Sequence, residues 1–296
     1  DREGGVLLER ETPAKGLGFN HHSEVLDDGT MLSLTTHPHD VDGHAWYGVA
    51  IEKWDPASES VVWSWDTEQA VASGRLSPPR AGIESPWHAN ALDWVRDPLG
   101  DAVWVSTYVS QALWRVDRST GEITHILGAR GDFELVDAAG APLPPSGWFY
   151  GQHDPEVTAD GRVLLYDNGV GRPGGSQSRV AEYQLDLEAR TATPLWSWTE
   201  ADWWTPFIGD ADYLPDGHVL INKGFIRCVT PWLFGQRSGV IELDPSAPSG
   251  PEVVWRLDWP DTHGSAFRAE RYDGCEILDH GASCPQVADR IDQLGL

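Results

Sequence analysis

The feature that most constrains this chain of 296 residues is a hairpin that recurs along it. Three copies open on a histidine: Asn20-His21-His22-Ser23-Glu24-Val25, Trp87-His88-Ala89-Asn90-Ala91-Leu92 and Gln152-His153-Asp154-Pro155-Glu156-Val157. A fourth reads Gly209-Asp210-Ala211-Asp212-Tyr213-Leu214. In the first, third and fourth copies an Asp-Gly pair follows (Asp28-Gly29, Asp160-Gly161, Asp216-Gly217) and leads into an apolar run. Asp-Gly between two alternating segments is a strong hairpin signal. The steps from His21 to His88, His88 to His153 and His153 to Gly209 are 67, 65 and 56 residues.

Self-similarity at such a period in a β-rich chain predicts a repeat architecture. Each unit carries two further strand patterns. The third strands are expected over Tyr47–Asp55, Gln111–Asp117, Arg179–Asp186 and Ser238–Asp244, and the fourth over Val61–Asp66, Ile123–Leu127, Pro194–Trp198 and Val253–Leu257. Four antiparallel strands per unit is the pattern of a propeller blade. A fifth unit reads as split across the termini, with Phe267–Leu278 as its inner hairpin and Gly5–Arg10 as an outer strand, closing the ring and removing open sheet edges. The expected fold is all-β: one propeller domain over residues 1–296, with about five four-stranded blades. The count becomes six if the long segment from Asp66 to Pro86 hides strands.

Sixteen tryptophans, many of them in outer strands, are expected to pack between blades. The net charge of −25 and a pI of about 4.6 argue against nucleic acid or an anionic membrane as partner. An anionic substrate would need a local positive site against that field. No apolar run reaches the ~18–20 residues of a membrane-spanning helix. Of three cysteines, Cys275 and Cys284 are close enough to bridge, which would leave Cys228 free and imply an oxidising compartment. Three reduced thiols are the alternative. The chain starts inside a strand-like region, so an export segment is expected to have been removed.

First strands line the channel of a propeller, so His21, His88 and His153 fall on one ring around its axis. Three imidazoles at one repeat position point to a functional site. After the second strand of the third unit comes Tyr166-Asp167-Asn168-Gly169-Val170-Gly171-Arg172, and Arg172 offers a planar fork of donors for sulfate, phosphate or carboxylate. The equivalent loops hold His37 and His39 in the first unit and Lys223 and Arg227 in the fourth. His37 and His39 read as structural, as do His125, His218, His263 and His280, which have no repeat partner. Nucleophile-elbow, Walker, dinucleotide and His-Glu-x-x-His motifs are absent.

The blocks Trp87-His88-Ala89-Asn90-Ala91-Leu92, Val105–Asp117 and Gln152-His153-Asp154, with Tyr166-Asp167-Asn168-Gly169 and Arg172, resemble the arylsulfotransferase (arylsulfate sulfotransferase) family. The resemblance covers roughly residues 16–260. It implies a secreted or periplasmic propeller that moves a sulfuryl group from a phenolic sulfate to a phenol through a transiently sulfated histidine. No nucleotide donor or other cofactor is then required. Carried over by motif, His88 and His153 would bind sulfate or act as acid and base, and Arg172 would bind sulfate. The family's nucleophile falls near Gly224–Cys228, where no histidine stands and Arg227 is nearest. Either His21 or His22 takes that role, or the chain does not transfer sulfate in this way. Tyr108 stands where the family commonly has an arginine.

Three readings follow. In the first, His21, His88, His153 and Arg172 transfer or hydrolyse a sulfuryl or similar anionic group. His22, Asn90, Asp154, Asn168, Asp210 and Arg227 then bind a small anionic or phenolic substrate. In the second, His21, His88 and His153 hold a transition metal, with Asp154 or Asp210 as a further ligand. In the third, the channel is a non-catalytic binding site.

Overall fold

A computed structural model describes residues 19–41, 44–78, 85–224, 238–259 and 266–271. Four sheets follow one another along the chain, each a meander of sequential antiparallel neighbours. The first holds β1 (Phe19–Val25), β2 (Met31–Val41), β3 (His44–Asp55) and β4 (Ser60–Asp66), and a short helix α1 (Thr67–Ala72) follows. The second holds β5 (Ala89–Asp97), β6 (Gly100–Thr107), β7 (Ala112–Asp117) and β8 (Ile123–Leu127). A two-residue β9 (Glu134–Leu135) precedes the third, which holds β10 (His153–Val157), β11 (Arg162–Asp167), β12 (Arg179–Asp186) and β13 (Thr191–Trp198). The fourth holds β14 (Asp210–Tyr213), β15 (Val219–Asn222), β16 (Gly239–Asp244) and β17 (Glu252–Asp258).

All four expected third and fourth strands are present, with ends shifted by a few residues. The third sheet gains a fifth strand, since β9 pairs in parallel with the outer edge of β13. The three Asp-Gly hairpins close as expected, with positive φ at Gly29, Gly161 and Gly217. The segment after Asp66 departs from expectation. In place of hidden strands its described residues form α1, because the Asp66 carboxylate caps the turn by accepting the Glu68 N–H at 2.8 Å. Of the expected fifth unit only residues 267–271 are described, and they form no strand. The cysteine pairing and Arg227 lie outside the described residues.

Both faces of the central sheets are covered, and the period-two alternation of a strand divides its side chains between two cores. Along β6, Val103 and Val105 pack with Leu34, Ile51 and Trp65 of the first sheet. Their neighbours Ala102 and Trp104 pack with Val163 and Tyr183 of the third. Along β11, Val163 and Leu165 face the second sheet, whereas Leu164 and Tyr166 face Ile221 and Ile241 of the fourth. Tryptophans lock the joints. Trp65 Nε1 donates to Gly121 O at 2.7 Å, and Trp63 meets Trp94 edge-on at 5.3 Å. The first strands are neighbours in chain order, β1 beside β5, β5 beside β10 and β10 beside β14.

One ion pair is sealed within the second sheet. Arg115 grips Asp97 with Nε to Oδ2 at 2.6 Å and Nη2 to Oδ1 at 2.8 Å, and Trp104 Nε1 donates to the same carboxylate at 3.1 Å. Both ionic side chains are almost fully buried. Removing one partner strands the other charge. Asp97→Ala is therefore expected to cost about 3–5 kcal/mol in denaturant unfolding. Adding Arg115→Met should restore much of that loss. A single variant as stable as the wild type would show the pair to be exposed in solution.

Candidate functional site at the ends of the first strands

The histidines open their strands at bulges. His21 and His88 have φ of 58° and 47°, and Asp154, beside His153, has 48°. Register shifts fall at the same three places, Phe19/Ser23, Ala89/Ala91 and His153/Glu156. A bulge re-aims a side chain at the cost of local strain. Here three bulges turn adjacent strand ends toward one another.

The rings meet in a row. His21 lies 4.9 Å from His88, His88 lies 5.9 Å from Tyr108, and Tyr108 lies 5.5 Å from His153 between ring centroids. On its other side His21 stacks on Phe267 at 5.9 Å and 14°. Tyr108 is held in the row by donating its hydroxyl to Pro206 O at 2.8 Å. Burial, then His88, then the Arg268 guanidinium hold the His21 pKa below 6.5, and burial does the same for His88. Both are neutral bases near pH 7.

His153 differs, because both its nitrogens are engaged. Asn168 Nδ2 donates to Thr205 O and Ile208 O at 2.7 and 2.9 Å, which leaves Oδ1 to face His153 Nδ1 at 2.8 Å. Nδ1 therefore carries the proton, and Nε2 accepts the Ile208 N–H at 3.3 Å. Burial lowers the pKa of this ring to about 4, so it stays neutral. Its hydrogen bonds fix the loop over the row. Next to Ile208, Gly209 has φ of 105°, and a Cβ there would meet the Tyr166 ring at 2.5 Å, so only glycine fits.

A cation joins the site from Arg268, which lies in the segment read as the inner hairpin of the fifth unit but was not among the expected site residues. Its Nη2 lies 2.6 Å from Asp154 Oδ1 and donates to His22 Nδ1 at 2.9 Å. The segment that carries it is pinned at three further points. Ala269 N–H donates to Asp210 Oδ2 at 2.8 Å, Asn222 Nδ2 donates to Ala266 O at 2.9 Å, and Ala266 N–H donates to Gly224 O at 3.0 Å.

Arg172, expected to hold the anion, instead pairs with buried Asp167 and donates to Gln177 O at 2.9 Å; Arg179 shares the same carboxylate. Both partners of Arg172 come from residues 167–177 around its own loop, where the buried carboxylate competes for the fork. Asn90 is buried and donates to Gln152 O at 2.8 Å, and Asp210 accepts Asn222 N–H at 3.2 Å as well as Ala269 N–H. With Asn168 and buried His22 they form the wall of the site. Lys223 is buried and pairs with Glu200, while His37 and His39 pair with Asp66. His125 is buried and hydrogen-bonded to Leu187 O at 3.0 Å, as a structural histidine should be.

The metal reading needs three imidazole nitrogens around one point. Among the described residues, the groups whose ligand atoms lie within 4.8 Å of one another are Asp154, Asp210 and Asp212, and Asp216, His218 and Glu242. His21, His88 and His153 do not form such a set, and His153 has no nitrogen to spare.

Carboxyls back the site. Burial is the first cause raising Asp93 to about 8, and it also raises Asp210 and Asp212, both of which are pushed further by Asp154. Such groups bind protons in the folded state that the unfolded chain releases. Their contribution is present at lower pH and is lost as pH rises through the folded values. The histidines of the row act oppositely: the unfolded chain takes up protons below 6.5 while His153 resists until about 4, so stability falls on acidification there. Unfolding free energy is therefore expected to decline between about pH 7 and pH 8, above the range of the buried histidines and below the lowered pKa of Lys223, about 8. Denaturation across that window checks this, and Asp93→Asn should flatten the slope.

Comparison with known proteins bears on this geometry. An arylsulfate sulfotransferase of Lelliottia amnigena is 24% identical over 305 aligned residues, covering 80% of this chain and 50% of that protein. The chain thus spans about half the length of that relative. A putative 6-phosphogluconolactonase of known structure from Bacteroides uniformis covers 78% of this chain and 69% of its own at 10% identity and a TM-score of 0.39, too weak a likeness to carry an argument. The model of the arylsulfotransferase (ASST) family matches residues 1–263, which takes in all four sheets and the three histidines of the row. On that match the chain belongs to the arylsulfotransferase family.

Proposed function

We propose that this protein transfers a sulfuryl group from an aryl sulfate to a phenol at the row His21, His88, Tyr108 and His153, with Arg268 as the anion-binding cation. The observation that carries the reading is the convergence of two neutral, half-open imidazoles with one guanidinium inside a strongly acidic chain. The four sheets are read as blades of a single propeller spanning residues 1–296 and closed by its two terminal segments. The ordered contact of β1, β5, β10 and β14 supports this, as does the apolar face that β17 leaves exposed at Trp255 and Leu257. A secreted or periplasmic setting fits the acidic charge. No helix among the described residues is long and apolar enough to cross a membrane.

In this reading a nitrogen of neutral His21 attacks sulfur. The nitrogen–sulfur bond forms as the bond from sulfur to the aryl oxygen breaks, and phenolate leaves. His88 takes the proton of the incoming phenol, whose oxygen then displaces His21 from sulfur. Arg268 faces the sulfuryl oxygens, where charge builds in both steps. His153 acts at one remove, holding the Ile208 loop through its two hydrogen bonds. Arg172 likewise acts through Asp167, and Asn90, Asp154, Asn168 and Asp210 shape the wall. Asp210 and Asp212, kept protonated by burial, soften the repulsion that an anion would meet. No step calls for a nucleotide donor or a metal.

A panel of phenyl sulfates with phenol acceptors tests the activity. His21→Ala and His88→Ala are each expected to lower kcat at least ~10²-fold. Arg268→Ala should raise KM and lower kcat together, and Arg268→Lys should restore only part because it lacks the fork. His125→Ala should lower thermal stability and spare kcat. Folded His21→Ala or His88→Ala protein with wild-type rates would remove the row from the mechanism.

The acid limb of kcat/KM gives a separate check. The bases must be neutral, and both have pKa values lowered from 6.5. Activity should therefore persist below pH 6.5 and be lost only on further acidification. A limb above 6.5 would assign the chemistry to other groups.

A further inference from the structure

Phe267 is exposed at 39% although it lies against the site, and its ring is nearly parallel to that of His21. A large apolar ring beside an imidazole at a polar site is a surface for another flat ring. The next residue, Arg268, places a cation beside it, so one short arm presents an aromatic face and an anion clamp together. The arm is held rigidly: Asp154 and His22 grip Arg268, Asp210 takes the Ala269 N–H, and Asn222 takes the Ala266 carbonyl. Preorganisation of this kind is what a selectivity element needs. The arm also lies beyond residues 1–263, the span matched to the family.

We infer that the arm Ala266–Arg271 sets substrate selectivity, with Phe267 stacking on the aryl ring while Arg268 holds the sulfate of the same molecule. This rests on the reading of the site as one for sulfate esters. Selectivity then comes from the ring contact alone, because the anion contact is common to any sulfate monoester.

Calorimetric titration of phenyl sulfate and methyl sulfate into wild-type protein and variants tests this. The wild type is expected to bind phenyl sulfate at least about tenfold more tightly, the scale of burying and stacking one ring. Phe267→Ala and Phe267→Leu should both bring the ratio close to one, and Phe267→Tyr should keep it. Arg268→Gln should weaken both ligands by the same factor. The leucine variant separates stacking from bulk, since a residue that merely props the arm would tolerate leucine. A ratio that survives in the alanine and leucine variants overturns the inference, and so does a wild type that does not distinguish the two esters or does not bind phenyl sulfate. If the ratio depends on Phe267 but no sulfate ester is turned over, the transferase reading fails and the arm's role stands. If turnover is found and the ratio ignores Phe267, the arm's role fails alone.

Discussion

The structure depends on how the free edges of its first strands are satisfied. Each such strand pairs with its own sheet along one side only, so the other side presents backbone groups that need partners. Side chains of the neighbouring first strand supply them. Asp93 on β5 accepts the Val157 N–H of β10, and Glu156 on β10 accepts the Tyr213 N–H of β14 at 2.8 Å. Asn90 donates to Gln152 O, and Gln152 in turn donates to Ala112 O at 3.0 Å in the sheet behind. The second, third and fourth sheets are thereby joined along their first strands by directional bonds, beside the apolar cores that pack between them.

This way of joining sheets gathers carboxyls where the first strands meet. Withdrawn from water and close to one another, they favour the protonated form, as Asp93, Asp210 and Asp212 do. The same withdrawal keeps the histidines neutral. Burial therefore suits both groups to the proposed reaction, which needs an anion to be accepted and an uncharged nitrogen to attack. Arg268 brings a positive charge beside the row, and Asp154 and His22 hold it through Nη2.

Much of the site was legible in the residues themselves. His21, His88 and His153 occupy one repeat position, and the fold carries them to one row because bulges recur where the repeat does. Roles within the row were not legible. His153 resembles its two counterparts in sequence, yet Asn168 and Ile208 take both its nitrogens, and those partners arrive from 15 and 55 residues away. Tyr108 stood out only as a replacement in a motif, and its place between two imidazoles follows from the β6–β7 turn. Arg172 was the plausible anion binder by position, but Asp167, five residues earlier, claims its guanidinium. Arg268 lies in the segment read as the inner hairpin of the closing unit, but no histidine stands there, so the repeat placed the segment without singling out the cation.

The sequence by itself determined the four-sheet order, the strand pairings and the row of histidines. All of these follow from period-two alternation, Asp-Gly turns and a repeat, which are local signals that each unit expresses on its own. It also determined that a cation would be scarce and therefore informative. Tertiary structure decided which arginine stands beside the row, which histidine has both nitrogens engaged and which carboxyls hold protons. Those properties depend on competition among partners brought together from distant units and on how far each is removed from water, and neither is encoded within any single repeat.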